Sequence, residues 1–136
     1  MPKKRVPLVD DNALVRSMVR QLFESEPDFE ISGEAENGRD AAAMAETLKP
    51  DLIILDLAMP VMTGIEAAPL LRKVVPDARL ILFTVSEGRE VERLARAAGI
   101  HAVVSKSQVA SKLILQAQAL LKSEEQEYVP AELGTQ

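Results

Sequence analysis

Along this chain, short apolar runs alternate with stretches whose apolar residues recur at helical spacing. Val6 to Val9 is one such run, and Leu14, Val15, Met18, Val19, Leu22 and Phe23 after it share one helical face. Pro27 ends that helix. Phe29, Ile31, Gly33 and Ala35 then alternate with polar residues as an outer strand, and Asn37-Gly38 marks a turn. Asp40 to Leu48, rich in alanine, reads as a helix stopped before Pro50. Leu52 to Leu55 is apolar without alternation, the pattern of a parallel strand covered on both faces, and it ends at Asp56. Beyond a Pro- and Gly-containing loop, Met59 to Gly64, a helix runs from about Ile65 to Val75, and Pro76-Asp77 turns into a second covered strand, Leu80 to Phe83. Glu90 to Ala98 reads as a helix closed by Gly99, Ala102 to Val104 as a strand, and Val109 to Leu121 as a last amphipathic helix.

Strands and helices in strict alternation predict an α/β, doubly wound, five-stranded parallel sheet with right-handed crossovers and helices on both faces. The domain takes in residues 1–122. Residues 123–136 carry Glu124, Glu125 and Glu127 without apolar periodicity and read as an acidic C-terminal tail or linker remnant. Two positions break local rules. Pro7 removes a backbone donor from a strand expected to lie inside the sheet, and Pro69 falls within the third helix, where it should kink the helix or delay its start.

Composition narrows the chemistry. A chain of 136 residues, 47% of them hydrophobic, can bury a core without staples, and with no cysteine it has no disulfide or thiolate chemistry, as suits the cytoplasm. A single histidine, His101, excludes His-rich metal clusters, and it precedes the last strand at the amino-terminal edge of the sheet. The net charge of -5 argues against direct nucleic-acid binding by this chain, which draws on clustered Lys and Arg. Lys3, Lys4 and Arg5 precede only a short apolar run, too short for an export signal, and no segment has the length of a membrane span.

The polar residues left over sit at carboxyl ends of strands: Asp10 and Asp11 after the first, Asp56 after the third, Thr84 at the end of the fourth, Lys106 after the fifth. Sites in open α/β sheets form at that edge, at the reversal of strand order. With the order 2-1-3-4-5, three carboxylates meet there with a hydroxyl and an ammonium at the rim. Taken singly, each has an ordinary reading: Asp11 or Asn12 as a helix cap, Asp56 and Lys106 as solvated charges, Thr84 as a strand residue. Their joint placement is what those readings leave unexplained. Three clustered carboxylates repel one another unless a cation joins them, and an all-oxygen set suits Mg²⁺, with Ca²⁺ or Mn²⁺ as weaker alternatives. A carboxylate in such a site can itself take a phosphoryl group.

Leu-Val-Asp-Asp at 8–11, Leu-Ile-Ile-Leu-Asp-Leu-Ala-Met-Pro with Gly64 at 52–64, Leu-Phe-Thr at 82–84 and Val-Ser-Lys at 104–106 resemble the receiver domains of two-component response regulators. The resemblance runs from about Arg5 to Leu121 and is nearest to receivers that precede a helix-turn-helix output. It implies a flavodoxin-like sheet order, Asp56 as acceptor of a phosphoryl group from a sensor histidine kinase, and Mg²⁺ ligated by Asp11, Asp56 and the backbone carbonyl of Ala58. Asp10 would act mainly through metal-bound water, Thr84 would bind a phosphoryl oxygen and Lys106 would pair with the phosphate. The chain would be a signalling switch for an unnamed downstream protein, assisting only its own phosphorylation and dephosphorylation. Whether it forms a homodimer is left open. Three positions depart from the pattern: Val103 replaces the usual Tyr or Phe, Ser107 the frequent Pro, and Asn12 the frequent His or Glu. Ala58 and Ser86, two residues beyond Asp56 and Thr84, offer little to orient a hydrolytic water, which implies slow self-dephosphorylation.

Other readings fare worse. A dehalogenase-type aspartyl enzyme resembles Asp-x-Asp, but residue 58 is Ala, and a nucleotide binder would not place Asp10-Asp11 where phosphate must sit. A receiver cut from a longer DNA-binding regulator and a phosphorylation-independent adaptor remain as alternatives.

Overall fold

The computed structural model describes residues 2–86, 88–108, 111–122 and Tyr128. The chain runs β1 (Lys4–Val9), α1 (Ala13–Glu24), β2 (Phe29–Ala35), α2 (Gly38–Leu48), β3 (Leu52–Leu55), α3 (Gly64–Val74), β4 (Arg79–Thr84), α4 (Arg89–Ala98), β5 (Ala102–Ser105) and α5 (Ser111–Lys122). All strand pairs are parallel, in the order β2-β1-β3-β4-β5, as the alternation predicts. Element ends lie within a residue or two of the expected ones. The expected start of α5 at Val109 and the acidic segment 123–136, apart from Tyr128, lie outside the described residues.

The unbroken apolar runs of the inner strands serve two cores at once. Leu52, Ile54, Ile81, Phe83, Ala102 and Val104 face Val19 and Phe23 of α1 and Leu113, Ala117 and Leu120 of α5. The intervening Ile53, Leu55, Leu80, Leu82 and Val103 face Ala41 and Ala45 of α2, Ala67 and Leu71 of α3 and Ala95 of α4. A two-residue side-chain period on strands covered by helices gives this division. Phe23 and Phe29 meet edge to face, with ring centroids 5.1 Å apart.

The edge strand departs from its apparent alternation. Phe29 and Ile31 pack on the α1/α5 side, whereas Ala35 packs with the α2 side, and a side chain at Gly33 would meet Met44 and Leu48 of α2. Residues of like parity thus face opposite ways. The register explains it: Arg5 pairs with Glu30 but Pro7 with Gly33, so β2 carries one extra residue there, a bulge that switches its faces.

Pro7 now has an account. Arg5 and Val9, on either side of it, turn their carbonyls to the amides of Asp51 and Asp56, so the donor that Pro7 lacks would also face β3. Pairing of β1 with β3 is registered only beyond it, at Leu8–Ile54 and Val9–Leu55, so little of that ladder is interrupted. Pro69 lies on the exposed side of an α3 whose start is not delayed, because Thr63 and Glu66 form a reciprocal capping box there.

Gly99 closes α4 in the left-handed conformation (φ 91°), as its position after Ala98 predicts. His101 is buried, its Nδ1 accepting from the Leu80 amide at 2.9 Å, which fixes the turn into β5 at the edge away from the carboxylates. Among the described residues no helix is long and apolar enough to cross a membrane.

Phe23 is fully buried and joins α1 to β2. Phe23→Ala should therefore destabilise the domain by about 3–5 kcal/mol, read as a lowered urea midpoint. A midpoint within experimental error of wild type would show that α1 is not held through this residue.

Candidate functional site

The reversal of strand order brings the ends of β1 and β3 side by side. Main-chain bonds hold both strands in the sheet up to the point where their carboxylates leave it: the Asp10 amide donates to the Ala35 carbonyl (3.0 Å) and the Asp56 amide to the Val9 carbonyl (2.9 Å). Asn12, not Asp11, caps α1, its Oδ1 accepting from the Leu14 and Val15 amides at 2.9 and 3.2 Å. Asp11 is thereby left exposed, with its carboxylate unclaimed by the helix. Asp10 Oδ1 accepts from the Asn12 amide at 2.9 Å.

Asp10, Asp11 and Asp56 each present a carboxylate oxygen within 4.8 Å of the others. Asp10 and Asp56 are buried, and the Lys106 ammonium lies between them, 2.7 Å from Asp10 Oδ2 and 3.2 Å from Asp56 Oδ2. Burial is the main cause that lifts the Asp56 carboxyl above the ordinary carboxylate range; the charge of Asp10 adds to it, while Lys106 and the Leu57 amide pull the other way. Burial also works against the Lys106 ammonium, but its hydrogen bond to Asp10 and the charge of Asp56 outweigh this and hold its pKa above the usual value. One ammonium among three carboxylates leaves negative charge in excess. An oxygen-only donor set with surplus negative charge fits a hard divalent cation.

Thr84 is fully buried at the end of the neighbouring strand, and its hydroxyl accepts from the Ser86 amide at 3.2 Å. It stands beside the carboxylates rather than bonded to them. Ala58 and Ser86 are both exposed, and Ala58 brings no polar side chain. The Lys106 amide donates to the Thr84 carbonyl at 2.8 Å, which ties the lysine loop to β4. That loop keeps a trans Lys106–Ser107 peptide, with the hydroxyls of Ser105 and Ser107 bonded at 2.7 Å. Gly64 is required by close approach: a Cβ there would fall 2.2 Å from the Asp56 carbonyl oxygen.

Arg16 is a positioning residue that the helical pattern alone does not reveal. Its Nη1 donates to the Asp10 carbonyl while its Nε holds Glu34 at 2.8 Å. Glu34 also takes Arg20 at 2.6 Å, so α1, β2 and the Asp10 backbone are joined by one network. A basic residue on the polar face of a helix looks solvated unless the tertiary contact is known.

The family profile described as response regulator receiver domain matches residues 6–118. The nitrate/nitrite response regulator protein NarL of Escherichia coli K12 is 43% identical over 83 residues, 61% of this chain, which spans only 38% of NarL. Chemotaxis protein CheY of Halobacterium salinarum is 37% identical over 103 residues, 76% of this chain and 84% of its own length. Among solved structures, a LuxR-family two-component response regulator from Aurantimonas sp. SI85-9A1 superposes with a TM-score of 0.88 at 28% identity, covering 98% of this chain and 94% of that one. The response regulator domain of Thermotoga maritima CheB gives 0.84 at 30% identity, covering 91% and 100%.

The raised carboxyl of Asp56 has a consequence for stability. Where the folded value exceeds the unfolded one, the folded chain holds the extra proton in the interval between them, so stability falls as pH rises through that interval. With divalent cations chelated, Asp56→Asn should be more stable than wild type at neutral pH, and the gap should close as pH falls below the unfolded value of about 3.9. Urea midpoints across pH measure this, and equal midpoints at neutral pH would contradict it.

Proposed function

Because the chain belongs to the response regulator receiver domains of two-component systems, we propose that Asp56 accepts a phosphoryl group from a sensor histidine kinase and that the resulting aspartyl phosphate switches the binding of a downstream protein. The observation that carries this reading is the convergence of Asp10, Asp11 and Asp56 within 4.8 Å around the Lys106 ammonium. Mg²⁺, bound by Asp11, Asp56 and the Ala58 carbonyl with Asp10 beside them, would supply the charge that offsets an incoming phosphoryl group.

The chain's own residues then have separable tasks. An Asp56 carboxylate oxygen forms the new bond to phosphorus as the donor's P–N bond breaks, and the electron pair of that bond stays on the imidazole nitrogen. Lys106, already within reach of Asp56, pairs with a phosphoryl oxygen. Thr84 exchanges its bond from the Ser86 amide for donation to another phosphoryl oxygen. Arg16 keeps the Asp10 backbone in place. In this reading residues 1–122 are the receiver, 123–136 a tail or linker, and the cytoplasm is the compartment. That the chain spans only 38% of NarL favours a second reading for the whole protein, as the receiver portion of a longer DNA-binding regulator.

Asp56→Asn should abolish acid-labile labelling by a small phosphodonor. Asp11→Ala should raise the Mg²⁺ concentration needed for labelling by about tenfold or more. Wild-type labelling of Asp56→Asn would sink the acceptor assignment.

A further expectation concerns decay. Neither Ala58 nor Ser86 offers a good base to orient the attacking water, so the phosphorylated chain should lose its label slowly. Ala58→Asn or Ala58→Glu should speed the loss without preventing labelling, and a wild type that decays as fast as these variants would remove water positioning as the control.

A further inference from the structure

Outside the acidic site, Tyr128 stands apart. It belongs to a segment that reads as a solvated acidic tail, yet its side chain is half-buried against the core layer containing Ala95 of α4 and Val103 of β5. Its hydroxyl donates to Glu92 Oε1 at 2.7 Å, and the Arg96 guanidinium lies 4.5 Å from its ring centroid. Glu92 and Arg96 are one helical turn apart on α4 and hold the two ends of the same ring, one through the hydroxyl and one through the face. Two polar anchors of different kinds on one aromatic side chain define both its position and its orientation.

We propose that the outer surface of α4 is a docking site for the chain's own C-terminal segment, with Tyr128 as the anchor. The surrounding charge fits the occupant. Glu124, Glu125 and Glu127 precede Tyr128 in the sequence, whereas α4 carries Arg89, Arg93 and Arg96 against Glu90 and Glu92. Of these, Arg93 is taken by Glu90 at 2.6 Å, Arg96 faces the Tyr128 ring and Arg89 is exposed. The reach is short: six residues from Lys122 at the end of α5 span at most about 20 Å. Docking in cis also needs no second molecule, since the tether holds the segment at high effective concentration. A partner protein that seats an aromatic side chain on this face of α4 must first displace Tyr128, so the segment sets a threshold for α4 recognition.

The chain supplies its own probe, because Tyr128 is its single tyrosine and there is no tryptophan. In the full chain, tyrosine emission should be shielded from acrylamide. Combining Arg96→Ala with Glu92→Ala removes both anchors from exposed or half-buried positions and should weaken docking roughly tenfold, raising the quenching constant toward that of free tyrosine. In amide NMR spectra, Tyr128→Ala should shift the α4 resonances around Glu92 and Arg96, and Tyr128→Phe, which keeps the ring over Arg96, should shift them less. Shielding should not change on dilution. Quenching unaffected by the α4 substitutions, α4 amides unmoved by Tyr128→Ala, or shielding lost on dilution as expected for docking onto a second copy would each overturn the proposal.

Discussion

The Lys106 ammonium between Asp10 and Asp56 is the contact on which the rest of the carboxyl edge depends. With the order β2-β1-β3-β4-β5, the strand that delivers the lysine lies three strand spacings of about 4.8 Å from the strand that delivers Asp10. The gap is crossed in two stages. The Lys106 amide is tied to Thr84 of β4 at 2.8 Å, and the flexible side chain then passes over β3 to the carboxylates. One ion pair therefore reports on the position of four strand ends at once. Any change that moves β4 relative to β1 must stretch it.

The site is built against the preference of its own charges. Two buried carboxylates beside each other cost stability, and the lysine offsets only part of the cost, as the raised Asp56 carboxyl shows. The scaffold holds them by force elsewhere: the capped α1, the two packed cores and Gly64 pressed against the Asp56 carbonyl. Its local rules are broken at few places: Pro7 in the inner strand β1, the bulge in the outer strand β2 and Pro69 on the exposed side of α3.

The inner strands were legible because Leu52–Leu55 and Leu80–Phe83 have no polar position at all, which only a doubly covered strand tolerates. The carboxylates were legible because strand ends in an alternating chain share one edge. Other features were hidden for physical reasons. Ile31 and Gly33 look like one face because the extra residue is defined by pairing with β1, which a local pattern does not contain. Whether Asp11 or Asn12 capped α1 depended on loop geometry, and Arg16 depended on a carbonyl six residues away. Tyr128 lies in a segment without periodicity, and a single anchoring side chain makes none.

The bulge in β2 also bears on what this molecule avoids. A parallel sheet that ends in a regular, uncharged strand offers its free amides and carbonyls to any extended chain that drifts past, and so invites aggregation. Here the terminal strand changes face partway along and carries exposed Glu30. A foreign strand that matches the first half is out of phase with the second and meets negative charge. The same irregularity that re-aims Gly33 and Ala35 toward α2 thus works against sheet growth on that side.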